Sequence, residues 1–126
     1  MKKILLDTNM LMSIGALKVD IFSEIERICD FRYELVTIDS VVVELSKLTA
    51  PSRGNIGRTA KLALELIKRK NVKILKSGIM PADEGIVMVA DTNFIVATQD
   101  LALKRRLKAK GAGIITIRQK KYLKFG

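Results

Sequence analysis

Short apolar runs alternate along this chain with segments whose apolar residues recur every three or four positions, the pattern of strands and amphipathic helices taking turns. Lys3 to Leu6 reads as a first strand stopping at Asp7, after which Val19, Phe22, Ile25 and Ile28 mark one helix. Glu34 to Ile38 gives a second strand, and Asp39 or Ser40 can cap the helix behind it, which runs towards Leu48 and ends before Pro51. The stretch from Ala50 to Gly57 is the most loop-like part of the chain. The next helix presents Ile56, Ala60, Ala63, Leu64 and Ile67 on one face. Val72 to Leu75, Asn93 to Thr98 and Ile114 to Ile117 supply the third, fourth and fifth strands. A short helix opened by Asp83 precedes the fourth strand, and a basic helix from Leu101 to Ala109 follows it.

This alternation predicts an α/β fold of three layers, α/β/α, around a twisted parallel sheet of five strands. No linker divides the 126 residues, so one domain spanning 1–126 is expected, with a basic C-terminal segment at 101–126. Asp-Thr-Asn occurs twice, but the copy at Asp91 stands where a helix hands over to a strand and reads as turn chemistry.

Composition narrows the chemistry. The chain has no histidine and a single cysteine, Cys29, which removes Ser-His-Asp hydrolysis, His-ligated zinc, Cys₄ zinc clusters and any internal disulfide. Acid–base or electrophilic work falls to carboxylates, lysines, hydroxyls or a hard cation held through oxygen. Cys29 itself reads as a buried thiol. No apolar run approaches the roughly 18 residues of a membrane helix, and Asp7 interrupts the opening before a secretory core could form, so a cytoplasmic protein is expected. Net charge is +10, and residues 101–126 carry nine bases and no acid. Lys104, Arg105, Arg106, Lys108, Arg118, Lys120 and Lys121 are the candidate contacts to a polyanion, with a solvated basic face as the alternative.

Four acids stand out by position. Open parallel sheets bind ligands beyond the carboxyl ends of their strands, where Asp7 follows the first strand and Asp100 the fourth. A strand order of 3-2-1-4-5 makes these two neighbours. Glu44 falls on or beside the core-facing stripe of Val41, Leu45 and Leu48, where a carboxylate needs a partner or a metal. Asp83 opens a helix, with Glu84 beside it. Asp83 and Asp100 each have an alternative reading as a helix cap, Asp7 less so because Thr8 and Asn9 already offer capping oxygens, and Glu44 has one as an exposed or salt-bridged residue. Taken together, four acids meeting without a local base invite a hard divalent cation.

In order, Leu-Leu-Asp7-Thr8-Asn9, Val-Val-Glu44-Leu, Ala-Asp83-Glu84 and Val-Ala-Thr98-Gln99-Asp100-Leu resemble the PIN-domain nucleases across almost the whole chain. The basic ending is similar to stand-alone archaeal PIN proteins akin to rRNA-processing nucleases, and the family also includes VapC-type toxins. The resemblance implies an endoribonuclease acting on single-stranded or structured RNA. It implies that Asp7, Glu44, Asp83 and Asp100 hold Mg²⁺ or Mn²⁺, with Asn9 and Thr98 orienting ligands or water. Many relatives have Asp where this chain has Glu84 and Asn where it has Gln99, which leaves open whether Glu84 shares the metal. An antitoxin or ribosome-assembly partner and a homodimer are further expectations from the family. Two other readings stay open on the residues: a non-catalytic RNA-binding module, and an aspartyl phosphotransferase with Asp7 as nucleophile.

Overall fold

The computed structural model describes residues 1–126, which form β1 (Lys2–Leu6), α1 (Thr8–Ala16), α2 (Ile21–Ile28), β2 (Tyr33–Ile38), α3 (Asp39–Leu48), a 3₁₀ turn at Pro51–Arg53, α4 (Asn55–Arg69), β3 (Lys73–Leu75), α5 (Ala82–Val89), β4 (Phe94–Ala97), α6 (Leu101–Ala109), β5 (Gly113–Arg118) and β6 (Tyr122–Phe125). One sheet gathers all six strands in the order β3-β2-β1-β4-β5-β6. The first five are mutually parallel, as the alternation predicted, and β6 is antiparallel to β5. β1 is central, and its Ile4, Leu5 and Leu6 are fully buried on both faces of the sheet. All four residues of β4 are buried as well. α1 packs on α4 and α2, whereas α5 packs on α6, and α3 touches both α4 and α5. The chain runs outward from β1 in both directions, through β2 to β3 and from β4 to β5, each parallel link crossing over through helices. No helix is long and apolar enough to cross a membrane.

Three expectations need correction. The segment after β1 forms two helices, because Leu17 ends α1 and Lys18 turns left-handed at φ 55° before Asp20 caps α2 through Ser23 N–H. Ile56 is 50% exposed, and α4 buries Gly57, Ala60, Ala63 and Ile67 instead. The third is the sixth strand. Gln119 and Lys120 both adopt positive φ, 52° and 56°, and Lys121 N–H donates to the Arg118 carbonyl at 3.0 Å, closing a turn of the I′ kind inside a hairpin whose strands pair Arg118 with Tyr122. Such a turn normally announces itself as Asn-Gly, so Gln-Lys concealed it.

The outer edge of β6 is covered by side chains of α2. Leu123 N–H donates to Glu24 Oε1 at 2.9 Å and Arg27 Nη2 donates to the Leu123 carbonyl at 3.1 Å, satisfying an edge that would otherwise be free to pair. Cys29, expected to be buried, is half-buried at the end of α2, where burial raises its thiol pKa.

Candidate active site

Parallel strands all end on the same side, so the residues immediately after them form a row. Across the sheet this row runs Asp39 after β2, Asp7 after β1, Thr98 to Asp100 after β4, and the Arg118–Lys121 turn after β5. Asp7 N–H donates to the Ala97 carbonyl at 3.1 Å, and Thr98 N–H to that of Ile115 at 3.1 Å, which locks the row in register.

Asp7 sits at its centre, 6% exposed. Its Oδ1 accepts from Thr8 N–H at 2.7 Å, making Asp7 itself the cap of α1. The expectation that Thr8 and Asn9 supply the capping oxygens is therefore wrong. Thr8 Oγ1 instead donates to Glu44 Oε1 at 2.8 Å. Asp7 Oδ2 accepts from the Thr98 hydroxyl at 2.7 Å and from Asn9 Nδ2 at 3.2 Å. Asn9 Oδ1 in turn accepts from Gln99 N–H at 3.1 Å, so Asn9 ties the loop after β4 to α1. Burial is the main force on the Asp7 carboxyl and raises its pKa; hydrogen bonds from Thr98 and Thr8 oppose this, while the nearby charges of Glu44 and Asp100 add to it.

Glu44 is half-buried on the flank of the α3 stripe whose Val41 and Leu45 are fully buried. Besides accepting from Thr8 it accepts Ala82 N–H on Oε2 at 3.3 Å, at the start of α5, whose own N-cap residue Pro81 makes no side-chain cap. Asp83 was expected to open that helix. It lies one residue inside the first turn, exposed, with Oδ1 accepting Glu84 N–H at 2.9 Å. Asp100 is exposed and caps α6 by accepting Leu103 N–H at 3.0 Å, and its own N–H donates to Thr98 Oγ1 at 3.2 Å.

The structure brings Asp7, Glu44 and Asp100 within electrostatic reach of one another, and Glu44 links to the start of the helix bearing Asp83. It does not draw them into a closed cage: nowhere do three or more carboxylate, thiol or imidazole groups stand at metal-holding separation. Each acid is turned to a backbone or hydroxyl donor of its own. None of the four forms an ion pair with lysine or arginine. The donor set is thus all oxygen and free of direct ion pairs, although Arg106 lies within electrostatic reach of Asp83, and Asp7 is charged only against burial. That suits a hydrated hard cation such as Mg²⁺, which keeps several waters and takes one or two carboxylates, and it does not suit a closed structural metal site.

Two other predicted residues are engaged elsewhere. Glu84 forms a bidentate pair with Arg106 at 2.8 and 2.9 Å, joining α5 to α6, so both the candidate metal neighbour and the candidate RNA contact are partly occupied. Gln99 points to β5, its Oε1 accepting from Thr116 Oγ1 and Ile117 N–H, each at 2.8 Å. Lys104 Nζ donates to Thr116 Oγ1 at 2.7 Å, and its pKa is lowered first by burial and then by Arg118 and Lys108. Arg105, Lys108, Arg118, Lys120 and Lys121 are exposed. Sequence reasoning missed Thr8 as the link to Glu44. Asp39, expected as a possible cap of α3, is instead that helix's first residue behind Ile38, and its pKa falls to about 2 because it accepts from the Ser77 hydroxyl and from the N–H groups of Ser77, Gly78 and Ser40.

The parallel sheet carries carboxylates beyond β1 and β4 and exposed cations beyond β5 at its carboxyl edge, the side on which open α/β sheets bind ligands. The chain belongs to the PIN like domain family, whose pattern it matches over residues 4–120. It is 38% identical over 126 residues to Ribonuclease VapC4 of Methanocaldococcus jannaschii, covering 97% of this chain and 95% of that protein. In fold it is similar to the PIN domain endonuclease Utp24, with a TM-score of 0.80 at 23% identity over 98% of this chain and 90% of the other. A domain of a functionally unknown protein from the same archaeon superposes with a TM-score of 0.59 at 23% identity, over 94% and 92%.

Proposed function

We propose that this chain is a divalent-metal-dependent endoribonuclease whose metal is held by Asp7, Glu44 and Asp100, with Asp83 at the rim. The observation that carries this reading is the buried, hydrogen-bonded and cation-free Asp7 facing two further acids at the sheet's carboxyl edge. The identity to a named ribonuclease over nearly the full length supports it. Mg²⁺ or Mn²⁺ there supplies charge neutralisation at the phosphodiester and activation of water. Thr98 and Asn9 hold the Asp7 carboxylate in one orientation, Thr8 does so for Glu44, and the exposed bases after β5 take backbone phosphates. Arg105 and Lys108 on α6 extend that basic surface. Single-stranded or structured RNA is the substrate, in the cytoplasm. A homodimer and a regulating protein partner, an antitoxin or a ribosome-assembly factor, complete the proposal.

Cleavage of a mixed RNA pool tests it, with wild type, Asp7→Asn and Glu44→Gln each assayed in Mg²⁺, Mn²⁺ and EDTA. Wild type should cut only with metal, and both variants should lose activity by about 10²-fold or more. Equal cutting by wild type and Asp7→Asn, or cutting undiminished in EDTA, rejects the assignment. Mapping the cut sites separates a toxin, which cuts many RNAs, from an rRNA-maturation enzyme with one site.

A further inference from the structure

Next to Glu44 the surface opens into a cavity of about 690 Å³, lined by Val43, Glu44 and Lys47 of α3 and by Ile79, Met80 and Pro81 of the β3–α5 loop. Ile79 is fully exposed and Val43 is 51% exposed. A lone exposed isoleucine is ordinary, but this one stands on a loop held from several sides. Asp39 Oδ1 accepts from Ser77 N–H at 2.9 Å and from its hydroxyl at 2.5 Å, and Oδ2 accepts from Gly78 N–H at 3.3 Å. Ser40 Oγ bonds Ser77 Oγ at 3.0 Å and donates to the Gly78 carbonyl at 3.2 Å. The turn at Gly78, with φ +91°, then projects Ile79 outward.

We propose that this shelf of Val43, Ile79 and Met80 is a subsite for one unpaired nucleobase adjacent to the scissile phosphate. The proposal rests on the ribonuclease reading above and adds the feature that selects where along a strand the cut falls. A nucleobase has an apolar face and the shelf offers an apolar surface beside a carboxylate of the metal site. Lys47 lines the same cavity, a cation suited to a phosphate flanking the base. The chain has no tryptophan and few other aromatics, so aliphatic side chains provide the contact that stacking provides elsewhere. Because the loop is already pinned, little ordering opposes binding.

Single-stranded RNA with a mapped cut, carrying one abasic ribose at successive positions around it, tests the subsite against wild type, Ile79→Ser and Val43→Ser. In wild type KM should rise about five- to tenfold at one abasic position only. Ile79→Ser should show that raised KM on intact RNA, respond no further to the abasic residue there, and keep kcat. Val43→Ser should repeat the pattern more weakly. Wild-type cutting with an unchanged KM for Ile79→Ser overturns the subsite and leaves the ribonuclease standing. Wild type cutting no RNA removes both. A raised KM that accompanies dissociation of a dimer in light scattering assigns the shelf to a second copy of the chain and overturns the subsite.

Discussion

Replacing Thr98 by Val removes one oxygen from the floor of the site and leaves its shape nearly intact. Thr98 is fully buried, and its hydroxyl makes three contacts: it donates to Asp7 Oδ2 at 2.7 Å and accepts from Asp100 N–H at 3.2 Å and Asn9 Nδ2 at 3.4 Å. The substitution therefore loosens Asp7 and Asp100 together. Asp7 keeps Thr8 N–H at 2.7 Å and Asn9 at 3.2 Å, so it is weakened and not released. A hydrogen bond to a charged group contributes roughly 1.5–3 kcal/mol. If that orientation is what prepares Asp7 for a cation, the metal concentration for half-maximal cleavage should rise about 10- to 100-fold, the range seen for groups that orient metal ligands. Rates at saturating metal should recover most of the wild-type value, and Thr98→Ser, which keeps the oxygen, should restore the metal dependence. The assay is cleavage of a fluorescent RNA across a Mg²⁺ titration, with circular dichroism as the fold control. A folded Thr98→Val protein with a wild-type metal midpoint would refute the idea that the Thr98 hydroxyl prepares Asp7.

Asp7→Asn should melt in EDTA at neutral pH no lower than wild type, while Mg²⁺ should raise the melting temperature of wild type alone. The sign follows from the raised folded-state pKa: the unfolded chain carries the Asp7 charge more easily, so stability is lost as pH rises through the folded value, and a neutral side chain escapes that loss. Asp39 behaves oppositely. Its folded pKa of about 2 lies below the ordinary value of 3.8, so its contribution is present above pH 4 and disappears as pH falls through that window; the acid limb of melting temperature against pH should flatten in Asp39→Asn. Gly85→Ala should destabilise the fold by about 1–3 kcal/mol in urea titrations, because a Cβ there would stand 2.7 Å from Ile38 Cδ1 and 2.8 Å from Ser77 Oγ. A neutral result would mean that α5 moves freely against β2.

Periodicity carried the five parallel strands and the basic helix, because doubly covered strands are continuous apolar runs and the helices between them bury one stripe each, whereas the strand order came with the expected fold and not from any local pattern. The positions of Asp7 and Asp100 after strands were legible, yet the wiring among the candidate site residues was not. Thr98 and Asn9, expected to orient ligands or water, both hydrogen-bond to Asp7. That Thr8 serves Glu44, and that Glu44 caps α5, depends on the Glu44 carboxylate meeting a hydroxyl and a backbone N–H from segments 36 and 38 residues away, which no local pattern encodes. The same holds for Glu84, whose neighbour Asp83 drew attention to the metal while its own partner, Arg106, waited on a helix 22 residues away. The second Asp-Thr-Asn did fold as a turn, with Asn93 N–H donating to Asp91 Oδ1 at 2.8 Å.

The Gln119-Lys120 bend has an evolutionary reading. Left-handed backbone costs an ordinary side chain about 1–2 kcal/mol, and Asn-Gly would fold the hairpin with less strain. Glycine at 120, however, would delete an exposed ammonium group from the loop that the proposed function assigns to backbone phosphates. A chain under selection only for thermal endurance would drift towards Asn-Gly; one kept for its grip on phosphates would retain the awkward lysine.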